Sequence, residues 1–289
     1  GALSPPGTGP ARGKPSPMHF VVRIAAPETR FASYTFRNLS TTMDVAPGRT
    51  LLDALSLDMF GGTFKGRLDV DTHGERPALR LTGSVAALDV PSLLKGSGSP
   101  GGITGRLGGT VSIAASGTDG AVLMRTARGT IDAVVSDGTL PRLDLVRTVV
   151  LAFGKPTGAP AEGSGTAFAR LGGTFALANG TLRTENLALS SRDFDTAGRG
   201  SLAIESGAVD ARADVVLSPG LTAQAGTDLR RYAQEDGRVR VPATVSGTLD
   251  RPRVSIDVAA AARRAIGNEL QRRVTSIFEG LFKKKKGGG

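Results

Sequence analysis

Three side chains that could bind a cation fall at alternate positions of one short segment, Asp69, Asp71 and His73. On a β-strand, alternate side chains share a face and lie about 6–7 Å apart, which is close enough to hold one metal ion. The solvated arm of a hairpin ending at His73 and Gly74 explains the same pattern. Because no second group of ligands accompanies these three residues, we expect no metal site.

Residues for the common catalytic chemistries are missing or wrongly spaced. The chain has no Cys, only two His and no Gly-x-Ser-x-Gly motif. Gly13-Lys14-Pro15 and Gly154-Lys155-Pro156 lack the Ser or Thr that follows the lysine of a phosphate-binding loop. Residues 96–101 match the spacing of a dinucleotide-binding glycine motif, but they form a Gly/Ser-rich segment that contains Pro100. We therefore expect no catalytic residues, no cofactor and no enzymatic activity.

The net charge of +10 is concentrated at the C-terminus. From residue 259 onward there are eight Lys and Arg residues against two Glu residues, so the rest of the chain is nearly balanced. Proteins that bind single-stranded nucleic acid interleave basic residues with aromatic ones, on which the bases stack. Only 4% of this chain is aromatic. We expect no nucleic-acid partner.

The chain divides into three parts. Residues 1–17 are rich in Pro and Gly and are predicted to be a disordered linker. Residues 18–258 carry short alternating segments separated by Gly-containing turns. Residues 259–289 are predicted to form an amphipathic helix with a basic tail. The fold class is therefore mainly β, an extended antiparallel sheet with a few short helices and a C-terminal helix.

Alternation in the central part favours a sheet with one apolar face. Residues 208–217 place five apolar side chains on one side and three charged ones on the other. The chain also has too few large side chains to fill a closed barrel. Candidates for the apolar lining of a groove are Phe175, Leu177, Leu187, Leu189, Val209, Ala211, Ala213, Val215 and Leu217. A slip of one residue in the register would turn any of these strands over.

The C-terminal segment has an apolar stripe followed by four lysines. The stripe consists of Ile266, Leu270, Val274, Phe278 and Phe282, and the lysines are Lys283, Lys284, Lys285 and Lys286. Such a helix can lie in the headgroup region of an anionic membrane. It can equally pack against the end of the sheet. No run of about 18 apolar residues occurs anywhere, and since the chain starts without Met or a signal peptide, we expect a piece of a longer protein.

Five phrases, in order, resemble the C-terminal region of the AsmA family of envelope proteins, relatives of the TamB-like and YhdP-like proteins. They are residues 59–66 (Met-Phe-Gly-Gly-Thr-Phe-Lys-Gly), 88–94, 127–145, 166–182 and 241–253. The resemblance spans roughly residues 36–265. The segments 95–102 and 154–164 resemble variable insertions, and the family's membrane anchor and first groove-forming half have no counterpart here.

The resemblance implies a long, curved sheet shaped like an open groove, in the periplasm of a Gram-negative envelope and anchored to the inner membrane. It implies that phospholipid acyl chains lie on the apolar face and move towards the outer membrane. The family offers no catalytic residues to transfer. The leading hypothesis is therefore a lipid-binding envelope protein that supports outer-membrane biogenesis and contacts the membrane surface. The alternative is an assembly factor that supports outer-membrane protein insertion through contacts with other envelope proteins.

Overall fold

The computed structural model describes residues 18–31, 34–96, 102–152, 161, 163, 165–224, 237–257, 259–260 and 263. They form one antiparallel sheet of 13 strands, in which each strand pairs with the next along the chain. The sheet order runs from β1 to β13 with no pairing between these two edges in the described part, so the sheet is open. The predicted fold class is confirmed: the described part of the chain is mainly β, with an unclosed sheet and four short helices between its strands.

Most strands follow one another directly as antiparallel hairpins, and four short helices lie in connections between strands. The strands are β1 (Phe20–Phe31), β2 (Tyr34–Ala46), β3 (Arg49–Met59), β4 (Gly62–Asp71), β5 (Ala78–Asp89), β6 (Arg106–Ser116), β7 (Arg128–Leu140), β8 (Thr166–Ala178), β9 (Thr181–Ser190), β10 (Phe194–Ala203), β11 (Val209–Leu217), β12 (Arg240–Thr248) and β13 (Arg251–Ile256). The helices are α1 (Val90–Gly96), α2 (Gly120–Thr126), α3 (Leu145–Ala152) and α4 (Pro219–Gln224). No helix of the described residues is long and apolar enough to cross a membrane.

The register gives the sheet two chemically different faces. One row of paired residues across β4 to β8 is Leu68, Leu81, Ile113, Gly129 and Leu177. The adjacent row, one residue along each strand, is Asp69, Arg80, Ala114, Arg128 and Ala178. Because neighbouring residues of a strand point to opposite faces, we call the first side the apolar face and the second the polar face.

Bulges keep apolar residues on the same face where simple alternation would separate them. The register of β3 shifts between Leu52 and Leu55, and that of β5 shifts between Val85 and Leu88. Each shift contains an alanine with positive φ, Ala54 at 50° and Ala87 at 56°. The extra residue turns the strand over locally, so Leu55 and Leu88 are buried on the apolar face.

The C-terminal half of the sheet curves around helix α3. Strands are spaced about 4.8 Å apart, so a flat sheet would separate β7 from β13 by about 29 Å. Yet α3, which follows β7, packs against β13. Arg142, just before α3, donates from Nη1 to the carbonyl oxygen of Asp250 at 2.6 Å, in the turn between β12 and β13. The apolar face is therefore concave here, with α3 inside the curve.

Candidate hydrophobic groove

The packed core occupies only one half of the apolar face. Helix α3 contributes Leu145 and Val149, and the sheet contributes buried residues from β8 to β12, with partly buried ones from β7 and β13. Among the described residues, no member of this core comes from β1 to β6. We call the apolar face of β7 to β13 the packed half and that of β1 to β6 the open half.

The open half carries a continuous lining of aliphatic side chains. Cross-strand pairing joins Leu68 to Leu81, and Leu81 to Ile113, while Val70 pairs with Leu79. These five side chains are only half-buried, although the sheet neighbours on either side partly shield them. An apolar surface of this extent that is only half-buried and lies outside the packed core is unusual for a folded domain.

Glycines keep the floor of the open half flat. Phe64 in β4 is 9% exposed and lies along the floor. A Cβ atom at Gly66 would lie 2.8 Å from the tip of the Phe64 ring, and one at Gly83 would lie 2.6 Å from it. Because side chains at both positions would collide with the ring, glycine lets the aromatic side chain lie against the sheet rather than project from it.

The register puts all nine predicted lining residues on the apolar face. Phe175 pairs with Ile131, and Leu187 lies in one row with Gly198 and Ala213. The remaining members, Leu177, Leu189, Val209, Ala211, Val215 and Leu217, occupy the same face through their own pairings. The structure thus assembles these residues on one surface.

All nine of these residues lie in the packed half, and three of them belong to its core. Leu189, Val215 and Leu217 are 5%, 1% and 3% exposed and lie in the core that contains α3. Their apolar surface is used for packing in this core, so it is not open to a ligand. The sequence does not predict where α3 docks, because docking depends on the curvature of the sheet.

The open-half lining was not among the residues singled out from the sequence. Leu68 and Val70, and Leu79 and Leu81, lie in two of the alternating segments. The sequence shows the alternation within each segment. It does not show that β4 pairs with β5 and β5 with β6, and this pairing joins the separate apolar stripes into one surface.

The predicted C-terminal stripe and lysines lie outside the described residues. This applies to Ile266, Leu270, Val274, Phe278, Phe282 and Lys283 to Lys286. The beginning of a helix is described, because Ala259, Ala260 and Arg263 are helical. The backbone N–H of Ala260 donates to Oδ1 of Asp257 at 2.7 Å, as at a capped helix start.

The carboxylates of the Asp69, Asp71 and His73 segment are occupied by partners of their own. Arg49 donates to Asp69 from Nε at 2.9 Å and from Nη2 at 2.6 Å, and this hydrogen bonding lowers the pKa of Asp69. The backbone N–H of His73 donates to Asp71 at 2.9 Å, which lowers the pKa of that carboxyl group. No group of three or more potential metal ligands occurs within the described ranges.

Comparison with known proteins bears on the same region. A profile of the AsmA family matches residues 22–187, which is more than half of the chain. The chain belongs to the AsmA family. The match begins within β1, covers the rest of the open half and continues into β9. No curated protein and no solved structure matches the chain. Membership of the AsmA family indicates an envelope-associated role related to lipid transport.

Proposed function

We propose that this AsmA-family chain is a non-enzymatic phospholipid carrier of the periplasm, helping lipid to pass from the inner towards the outer membrane. The acyl chains lie on the apolar face of the open half. The observation that carries the proposal is the row of half-buried aliphatic residues from β4 to β6, which lies outside the packed core. The family match over this region supports it.

The lining suits a ligand that must both bind and move. Each CH₂ group removed from water contributes about 0.8 kcal/mol, whatever its position along an acyl chain. Leu68, Leu81 and Ile113 offer only dispersion contacts, which have no preferred direction. An acyl chain can therefore be held without being fixed at one site. No bond is made or broken, so a conduit of this kind needs no catalytic residue.

The direct test compares two variants: one carries a new charge in the open half, and the other carries the same charge on the polar face. Ile113→Asp introduces a carboxylate among Leu81 and Gly129, so we expect at least a severalfold loss of phospholipid binding. Ser112→Asp adds the same charge one residue away on the polar face, between Thr82 and Thr130, and should bind as the wild type does. Native mass spectrometry for bound phospholipid and titration with a fluorescent lipid measure both variants.

Two results would reject the carrier proposal. One is a wild-type protein that neither retains nor takes up lipid with its C-terminal segment intact. The other is equal loss of binding in both variants, which would indicate a general effect of charge or stability. Circular dichroism and thermal unfolding of each variant show whether the sheet remains folded.

A specific observation favours the assembly factor as a second candidate function. The edge strand β1 exposes Phe20, Val21 and Val22 at 46%, 58% and 40%, and in the described chain it pairs on one side only. An unpaired edge of this length can accept a strand from another protein. A photo-crosslinker at Val21 should then capture outer-membrane proteins in cells. Crosslinks to such proteins in a chain that carries no lipid would favour this function over the first.

The basic tail is proposed to bring the chain to a membrane surface. Each lysine near anionic lipid contributes about 1 kcal/mol of attraction. Replacing Lys283 to Lys286 by Gln should therefore reduce co-flotation with vesicles containing phosphatidylglycerol, most clearly at low salt. Unchanged flotation would mean that the tail packs against the protein instead.

A further inference from the structure

A broad depression lies on the rim of the sheet, where β4, β5, β6 and β7 meet their turns. Its volume is about 930 Å³, and most of its polar lining comes from the polar face. The row Asp69, Arg80, Ala114 and Arg128 crosses it. Two apolar-face residues at the same rim, Leu79 and Ala115, also line it. The depression therefore adjoins the end of the open half.

The two carboxylates of this depression have partners of their own. Asp69 accepts two hydrogen bonds from the Arg49 guanidinium, and Asp71 accepts one from the backbone N–H of His73. Three further guanidinium groups line the depression, those of Arg80, Arg125 and Arg128. None of the three has a hydrogen bond or an ion pair with any described residue. The depression thus has an excess of positive charge.

The backbone holds the three arginines around an open floor. Arg80 and Arg128 both pair with Ala114, one from each side, so their Cα atoms lie about 10 Å apart across three strands. The small side chain of Ala114 leaves the space between them free. Long guanidinium side chains on either side of such a gap can converge on one anion, with the paired hydrogen bonds that suit phosphate oxygens.

Helix α2 brings the third arginine to the same rim. The hydroxyl of Thr126 donates to the carbonyl oxygen of Ser116 at 2.7 Å and accepts from the Ser116 backbone N–H at 3.0 Å. This double hydrogen bond ties the last turn of α2 to the end of β6. Arg125, the residue before Thr126, is thereby held beside the depression rather than on a free loop.

We propose that Arg80, Arg125 and Arg128 bind the phosphate group of a phospholipid whose acyl chains lie in the open half. The inference rests on the carrier role proposed above. Leu79 and Ala115 provide the continuity, because they belong both to the depression and to the apolar face. The site gives the groove a preference for lipids with an exposed anionic phosphate over neutral lipids with the same acyl chains.

Two fluorescent lipids with identical acyl chains separate the headgroup from the tails. One is a phosphatidic acid and the other a diacylglycerol without phosphate, each labelled on the tail. The wild type should bind the phosphatidic acid about tenfold more tightly. The triple variant Arg80→Gln, Arg125→Gln, Arg128→Gln should bind it as weakly as the diacylglycerol, while its affinity for the diacylglycerol stays unchanged.

A matched variant controls for net charge. Arg183, Arg199 and Arg212 lie on the polar face of β9 to β11, beside Glu185 and Asp210 and away from the depression. Changing these three arginines to Gln removes the same charge and should leave the preference for phosphatidic acid intact. An equal loss in both triple variants would overturn the proposed site in favour of a general electrostatic effect.

The remaining outcomes distinguish this inference from the carrier proposal. If the wild type binds both lipids equally, the phosphate site is rejected and the carrier role stands. If it binds neither lipid, the carrier role fails and the lipid-bound phosphate site fails with it. Calorimetric titration with inorganic phosphate tests free phosphate as the alternative ligand. The site would be assigned to free phosphate if a chain that takes up no lipid bound phosphate saturably and only the Arg80, Arg125 and Arg128 variant lost this binding.

Discussion

The absence of a side chain matters at several positions of this sheet. Gly66 and Gly83 face each other across β4 and β5, and Phe64 lies over both. A Cβ atom at Gly83 would also lie 2.5 Å from the carbonyl oxygen of Lys65. Backbone and ring would both have to move to admit one methyl group. The high glycine content of the chain therefore has a packing reason here, apart from turns.

Substituting Gly83 tests this packing. We expect Gly83→Ala to destabilise the protein by about 1–3 kcal/mol, the cost of overpacking a site that cannot relax. Urea unfolding followed by circular dichroism measures the change.

Gly120→Ala is the matched control for Gly83→Ala. A Cβ atom at Gly120, the first residue of α2, would have no heavy atom within 4 Å apart from those of its chain neighbours and the backbone of its own helix. Its free energy of unfolding should stay within about 0.5 kcal/mol of the wild type. Equal effects of the two substitutions would contradict the proposed contact between Gly83 and Phe64.

A second residue-scale feature is the hydrogen bonding of Asp195. Its carboxylate accepts from the Ser190 hydroxyl at 2.8 Å and from Arg238 Nη2 at 3.0 Å. The Ser190 hydrogen bond, followed by that of Arg238, lowers the pKa of Asp195 below its usual range. Arg238 also donates from Nε to the carbonyl oxygen of Leu217. These contacts join β9, β10 and the residues that precede β12.

The lowered pKa makes part of the stability dependent on pH. A carboxylate with a lowered folded pKa contributes fully above its unfolded pKa of about 3.9, and this contribution is lost as the pH falls through the folded value. Asp195→Asn should therefore reduce the free energy of unfolding at pH 7, and its difference from the wild type should shrink below about pH 4. Because the Asp195 side chain is 47% exposed, the effect should not exceed about 1 kcal/mol.

The control for Asp195→Asn is a carboxylate without such contacts. Asp210→Asn removes a group in β11 that has no hydrogen bond or ion pair with a described residue. Urea unfolding at pH 7, 4 and 3 compares the two variants. A constant difference between Asp195→Asn and the wild type at all three values would rule out the linkage.

At the scale of elements, α3 decides how much of the apolar face is open. Thr166 in β8 ties the start of this helix to the sheet, since its hydroxyl accepts from the Leu145 backbone N–H at 2.9 Å and donates to the carbonyl oxygen of Leu143. Val149, one turn further on, is 2% exposed within the core. The helix thus fills the concave side of the packed half as part of the fold.

Truncating the buried side of α3 tests this role. Val149→Ala should lower the free energy of unfolding by about 2 kcal/mol, because it leaves a cavity between the helix and the sheet. Leu151→Ala, on the same helix but 41% exposed, should cost much less. Thermal unfolding measures both. Similar losses for the two variants would mean that α3 is not docked through Val149.

At the scale of the whole molecule, stability should fall from the packed half towards the first strand. Each strand touches its sequence neighbours, and the packed half adds a core in which α3 lies on the sheet. Burial against a second layer protects backbone hydrogen bonds from opening. Strands β10, β11 and β12 pair on both sides and contribute core residues, whereas β1 has one paired side and an exposed end.

Amide hydrogen exchange can measure this gradient. We expect the slowest exchange in β10 to β12 and the fastest, among the strands, in β1. Phospholipid bound in the open half should slow exchange in β4, β5 and β6 more than in the packed half. Uniform protection along the chain without lipid would contradict the division into two halves.

The sequence by itself determined the class of the fold and the family. Residues 208–217 alternate strictly, and pairing puts Val209, Ala211 and Ala213 on the apolar face. Such local patterns predict the strands correctly because the side chains of a strand alternate with a fixed period of two. Glycine-containing turns mark where one strand of a hairpin ends and the next begins. The antiparallel order of neighbouring strands follows from the same short connections.

Only the tertiary structure decided which part of the apolar face stays open. Leu55 and Leu88 lie on that face through bulges at Ala54 and Ala87, and positive φ at an alanine has no sequence signature. The burial of Val215 in the core that contains α3 depends on contacts between residues far apart in sequence. The curvature that brings α3 against β13 is a sum of small twists over many strands, so no local segment encodes it.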